Sequence, residues 1–305
     1  MFQLDEYFRV KHETSKLGYD INNPQYISQK YLDEKFFVIS RTCLSFGDWV
    51  IISAMPRLLK YKYPDSTIVI PSPSLLKQIY PTGIWNNKHE DFHINVLEVY
   101  LHNPYIDGMI DDMPSTGMYH DHFRIYNPSI PNTPLVEQML MYWRFNQSEI
   151  MDSSPELYWS NEEKEIGDQK IKEYLGDKPF GFLYIDDSFF ESIPDTLPDV
   201  GDPLKIRRYK IQQKINEFDN IQWLYYTGKD ISETPYKTIN KAIDVRSFNV
   251  SLRIQNYIKT KSKFIIGHQG GYGTDCMSRY IPCHVVPSTS KTINEHFIRT
   301  TKYIL

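Results

Sequence analysis

Ser40-Arg41-Thr42-Cys43-Leu44-Ser45-Phe46-Gly47-Asp48-Trp49-Val50 lies between an apolar tetrapeptide, Phe36-Phe37-Val38-Ile39, and a run at helical spacing, Val50, Ile51, Ala54, Leu58 and Leu59. The tetrapeptide is rich in β-formers and reads as a buried strand. The helical run ends near Tyr63-Pro64, and a second strand, Thr67-Ile68-Val69-Ile70, follows directly. Strand, small-residue loop, helix and strand make a βαβ unit, with its loop at the sheet edge where open α/β folds bind ligands. At the mouth of that helix, Asp48 serves either as a helix cap or as a catalytic base.

A second strand-to-glycine-loop stretch occurs far downstream: Ile265-Ile266-Gly267-His268-Gln269-Gly270-Gly271-Tyr272-Gly273-Thr274-Asp275. Glycines let a backbone approach a ligand closely, and free amides at a helix start favour an anion such as a diphosphate. No Gly-Lys-Ser/Thr follows, so this is not a Walker loop, and it does not match the dinucleotide fingerprint. A tight structural turn is the alternative reading.

Between these points the chain alternates. Apolar runs at 36–39, 67–70, 94–99 and 123–126 are separated by helical or irregular segments, and a helix over Pro134 to Phe145 closes the first half. Residues 1–35 read as an extension packed on it. The polar stretch Asn146 to Ser160, with Ser153-Ser154-Pro155, is the candidate linker. A helix capped by Ser160 and Glu163 then runs to about Tyr174. Strands at 180–185, 221–226, 263–266 and 283–286 alternate with helices at 204–218, 251–260, 273–280 and 292–303. Such alternation means parallel sheets covered on both faces. The 305 residues exceed what one core efficiently serves, so two domains of about 150 residues are expected, 1–150 and 151–305. Together they form an α/β protein of two Rossmann-like domains facing each other across a cleft.

Composition narrows the partners. A net charge of −4 argues against broad electrostatic capture of nucleic acid, which is not an expected partner. Three scattered cysteines suggest neither a disulfide framework nor structural zinc, and Cys43 is read as a packing residue. The chain carries no run of about 18 apolar residues and no signal-peptide pattern at Met1-Phe2-Gln3, so a cytoplasmic location is expected. The pairs Asp111-Asp112 and Asp186-Asp187 lack the spacing of a metal-binding Asp-X-Asp and read as turn acids. Glu233 reads equally as a nucleoside contact or a loop acid, and His120-X-His122 is too isolated for zinc.

The two loops taken together resemble the GT-B glycosyltransferases, and within them the ADP-heptose–lipopolysaccharide heptosyltransferase family. The resemblance is carried by Ser45-Phe46-Gly47-Asp48 with Pro56 and Tyr63-Pro64, and by Ile265 to Gly271 with Tyr280-Ile281-Pro282. These patches cover about a fifth of the chain. Where the family has an acidic residue and a Ser or Thr before the loop glycine, this chain has His268 and Gln269.

The resemblance implies inverting, metal-independent transfer of a sugar from a nucleotide-diphosphate donor to a glycan or lipid-linked saccharide, as in polysaccharide biosynthesis. No cofactor beyond that co-substrate is implied, and a lipid-linked acceptor would bring peripheral membrane contact. Asp48 would be the general base and His268 a second catalytic-site residue. Gly267, Gln269, Gly270, Gly271, Tyr272, Gly273, Thr274, Lys205, Arg208 and Thr227 would bind the donor, and Arg41, Ser45 and Gly47 would form the acceptor-side loop. Two alternatives stay open: a nucleotide-sugar epimerase, and a GT-B-like nucleotide-sugar-binding protein without catalysis.

Overall fold

The computed structural model describes residues 29–41, 44–79, 92–111, 133–184, 203–218, 220–226, 242–268, 277–286 and 302–303. The chain divides into two compact units, Met1–Tyr158 and Trp159–Leu305.

In the first unit a short helix, α1 (Gln29–Asp33), precedes β1 (Phe36–Val38). β1 pairs in parallel with β2 (Thr67–Pro71), Phe36 opposite Thr67, and β2 with β3 (Gly108–Ile110), Val69 opposite Gly108. Phe37, Ile68, Val69 and Ile70 are fully buried, as expected of a parallel sheet covered on both faces. Edge-to-face contacts from Phe37 to Tyr63 (5.3 Å) and Trp143 (5.0 Å) tie the sheet to the helices over it.

The single helix expected after Asp48 is two. α2 (Phe46–Ile51) stops, Ile52 to Ala54 make a turn, and α3 (Met55–Lys62) begins with Pro56 in its first turn. Proline has no N–H to donate back into a continuous helix, whereas the first turn of a new helix needs none. The turn satisfies itself through Ser53 N to Val50 O (3.0 Å) and Met55 N to Ile52 O (2.9 Å). After α4 (Pro73–Ile79), the apolar run at 94–99 is a helix, α5 (Asn95–Tyr100), and the strand comes later, as β3. The run expected at 123–126 lies outside the described residues. α6 (Leu135–Tyr142) forms where helical spacing places it. The candidate linker is partly packed: Ser153, Ser154, Glu156 and Leu157 are buried.

The second unit opens with α7 (Asn161–Leu175). Ser160 caps it and Glu163 reaches back to the Ser160 N–H, completing the capping box. Among the described residues a six-stranded parallel sheet follows, in the order β6-β5-β4-β7-β8-β9. Its members are β4 (Phe180–Tyr184), β5 (Gln222–Tyr226), β6 (Ile243–Asp244), β7 (Ile265–His268), β8 (Cys283–Val286) and β9 (Lys302–Tyr303). Two helices flank them, α8 (Pro203–Asn216) and α9 (Leu252–Thr260, capped by Ser251). Ile211 and Ile215 of α8 share a core cluster with Leu183, Trp223, Ile266 and Val286. α7 meets α9 where Gly167 lies against the Tyr257 ring, too close for any Cβ.

The helix expected at 292–303 ends differently. Lys302 and Tyr303 are extended and pair with β8, His284 opposite Lys302, so sheet hydrogen bonding overrides the helical pattern there. Residues 292–301 lie outside the described ones, as do 273–276 of the helix expected at 273–280.

Candidate functional site

In the first unit the site grows from the carboxyl end of β1. Ser40 and Arg41 are buried there, Arg41 to 1% exposure, and α2 begins five residues after Arg41. The cap of α2 is Ser45, not Asp48: Ser45 is extended (φ −66°, ψ 153°) and its hydroxyl accepts from the Asp48 N–H at 3.3 Å. Asp48 therefore stands three residues inside the cap, in the first turn, where the helix dipole favours a negative charge. The cap reading of Asp48 is thus corrected. A short polar side chain at Ser45 fits the extended cap position, which leaves the carboxylate for other contacts.

Those contacts come from two sides. The Ser45 hydroxyl donates to Asp48 Oδ2, and Arg41 Nη1 donates to the Asp48 backbone carbonyl. Arg41 Nη2 stands 3.7 Å from Asp48 Oδ1. The Asp48 side chain keeps 16% of its surface exposed. Gly47 is buried in the same turn. Around the pair, Trp49 meets Tyr100 edge-on at 6.0 Å, and Asn95 Nδ2 donates to Leu44 O at 2.9 Å, fixing α5 to the loop. Burial pushes the Tyr100 hydroxyl's pKa far up, against the opposing pull of Arg41.

In the second unit the described members of the sequence-expected loop, Gly267 and His268, lie at the carboxyl end of β7. The chain builds outward from β4 through β5 to β6, then crosses back to place β7 on the other side of β4. The reversal between β4 and β7 is the position at which open α/β sheets leave a crevice for a ligand. Tyr184 ends β4 beside it; Gly267 is its partner in β7, and His268 ends that strand opposite Val286. Gly267 is needed by the sheet itself, since a Cβ there would collide with the Tyr184 carbonyl oxygen. Of the expected donor-binding set, Gln269, Gly270, Gly271, Tyr272, Gly273, Thr274 and Thr227 lie outside the described residues. Lys205 and Arg208 fall in the first two turns of α8. That helix connects parallel neighbours β4 and β5, so its start lies at the same carboxyl edge.

Sequence reading missed two features. Tyr184 and Tyr226 stack (6.2 Å, 8° between rings) at the ends of β4 and β5, with the Arg246 guanidinium 5.7 Å above the Tyr226 ring. Arg246 is bonded to Asp244, which raises its pKa. No local signal announces this corner, because β6 is only two residues long. The other is the buried pair of Arg57 and Glu156 in the first unit.

Among the described residues no group of three His, Cys, Asp or Glu gathers to hold a metal ion. Asp111 follows β3 directly; Asp112, Asp186, Asp187, His120, His122, Glu233 and Cys43 lie outside the described residues. No described helix is long and apolar enough to cross a membrane.

No protein-family model and no curated protein matches the chain. Among solved structures it is similar to a glycosyl transferase family 9 protein from Veillonella parvula DSM 2008, at 10% identity and a TM-score of 0.49, over 88% of this chain and 85% of that one. It is similar also to ADP-heptose lps heptosyltransferase II of E. coli, at 11% identity and a TM-score of 0.47, over 88% and 89%. These two are glycosyltransferases. A third, POFUT1 in complex with GDP-fucose, aligns at 12% identity and a TM-score of 0.36, over 88% and 97%.

Proposed function

We propose that the chain is a glycosyltransferase that moves a sugar from a nucleotide-diphosphate donor to a glycan or related acceptor, with inversion and without a metal. The observation that carries this reading is the Asp48 carboxylate in the first turn of α2, the helix that follows β1, held by Ser45 and Arg41 and part-exposed. In the proposed step Asp48 takes the proton of an acceptor hydroxyl as that oxygen attacks the anomeric carbon. The bond from that carbon to the diphosphate oxygen breaks, and the nucleoside diphosphate leaves with the electron pair. Charge on the leaving group is met by the amides of Gly270, Gly271 and Tyr272 and by Lys205 or Arg208. The crevice at the end of β7, where His268 stands, is the place proposed for the donor.

The proposal includes the GT-B arrangement of two Rossmann-like domains expected from the sequence. It also includes a saccharide acceptor on a glycan or lipid carrier, the latter bringing contact with a membrane surface, and a cytoplasmic setting.

Titration calorimetry of the full chain against UDP-, ADP- and GDP-sugars and the free nucleotides tests the reading. Binding of one donor, lost on replacing Lys205 or Arg208 by Ala, is expected. No heat from any of them at millimolar concentration contradicts it.

A further inference from the structure

We infer that Arg41 is a positioning residue for Asp48, an inference that rests on the role proposed for Asp48. Arg41 is 1% exposed, and among the described residues its side-chain hydrogen bond, to a backbone carbonyl, and its ion pair, with a carboxylate, are both with Asp48. Its Nε and Nη2 find no hydrogen-bond partner among the described residues. A buried guanidinium with idle donors is a poor device for stability, and apolar replacements of buried ions are often neutral or better. It is a good device for geometry. The planar fork reaches the backbone and the side chain of one residue at once, which a point charge on a flexible stem does not. The Ser45 hydroxyl holds the opposite carboxylate oxygen, Oδ2. Asp48 is therefore clamped from both sides, with its orientation set before any ligand arrives.

The inference separates catalysis from folding. In Arg41→Met, Asp48 still has Ser45 and solvent, so Tm should stay within about 3 °C of wild type. Turnover on the donor identified by calorimetry should fall about 10²-fold through kcat at unchanged KM, the scale for a misplaced catalytic group. Arg41→Lys should recover part of that loss. A substrate-free arm uses a water-soluble carbodiimide with glycinamide, followed by peptide mass spectrometry. Asp48 should be labelled several-fold faster in Arg41→Met than in wild type, because its carboxylate is released.

Wild-type kcat and wild-type labelling in Arg41→Met would overturn the inference, as would a fall in Tm with kcat intact. Should Arg41→Met not fold, Arg41→Lys decides: reduced kcat at normal Tm supports the clamp, and full kcat overturns it. Asp48→Asn distinguishes the two failures. If Asp48→Asn is impaired while Arg41→Met is not, only the role of Arg41 fails. If Asp48→Asn turns over normally, the role of Asp48 fails and the inference goes with it.

Discussion

Arg57 and Glu156 meet at 2.7 Å, Nε to Oε2, with both side chains almost wholly buried and 99 positions of chain between them. Each is satisfied further: Arg57 Nη2 donates to Asp152 O at 2.6 Å, and the Tyr158 hydroxyl donates to Glu156 Oε1 at 3.0 Å. The Glu156 backbone N–H donates to Ser53 Oγ at 2.7 Å, in the turn that separates α2 from α3. The segment 152–158 is thus fastened to the helix pair that carries Asp48. Burial opposes the Arg57 charge, yet Glu156 together with Asp152 and Tyr158 outweighs it and leaves the guanidinium pKa raised.

Glu156→Gln leaves that guanidinium buried beside a neutral amide. Breaking a buried pair at one partner costs about 3–5 kcal/mol. Urea denaturation of the full chain should show a loss of that order. A loss below about 1 kcal/mol would mean that the pair behaves like a surface one.

Gly267→Ala places a methyl group against the Tyr184 carbonyl oxygen, a backbone atom that moves only if β4 and β7 separate. Overpacking of this kind costs typically about 1–3 kcal/mol. Thermal unfolding should register it, and donor binding should weaken because the crevice opens at the same two strands. An unchanged Tm would show that the strands have room to spare.

Glu149 gives a pH dependence of known sign. The hydrogen bond from Lys62 Nζ (2.7 Å), then that from the Asn146 N–H (2.6 Å), hold its carboxyl below the usual carboxylate range. A group whose folded pKa is depressed stabilises above its unfolded pKa, and the gain disappears as pH falls through the folded value. The side chain is 40% exposed, so the gain is at most about 1 kcal/mol. The stability difference between wild type and Glu149→Gln should be present near pH 6 and close toward about pH 3. A difference constant across that range contradicts the assignment.

What the sequence made legible is local. Phe36-Phe37-Val38 and Thr67 to Ile70 read as strands because β-branched and aromatic residues run together between turn signals, and both form. Ser160 with Glu163 announced α7 through capping chemistry alone. The break between α2 and α3 was open to reading from Pro56, but the apolar spacing across it concealed the turn. Gly108-Met109-Ile110 and Ile243-Asp244 are too short to leave a periodic trace, and their extended form comes from pairing with neighbours already in the sheet. At the site, Ser45, Gly47 and Asp48 were visible as a motif. Which of Ser45 and Asp48 caps the helix was decided by backbone geometry, which the motif does not encode. The Arg57–Glu156 pair had no signal, since nothing within 99 positions links the two residues.

Replacing one carboxylate oxygen is the most direct test of the whole account. Asp48→Asn preserves the size of the side chain, the Ser45 cap and the bond from Arg41 to the backbone carbonyl, so the protein should still fold, with a lower Tm because buried Arg41 loses the carboxylate 3.7 Å away. Steady-state transfer from the donor found by calorimetry should then fall by about 10²-fold or more, because an amide does not accept the acceptor's proton. A folded Asp48→Asn protein that turns over at the wild-type rate would contradict it.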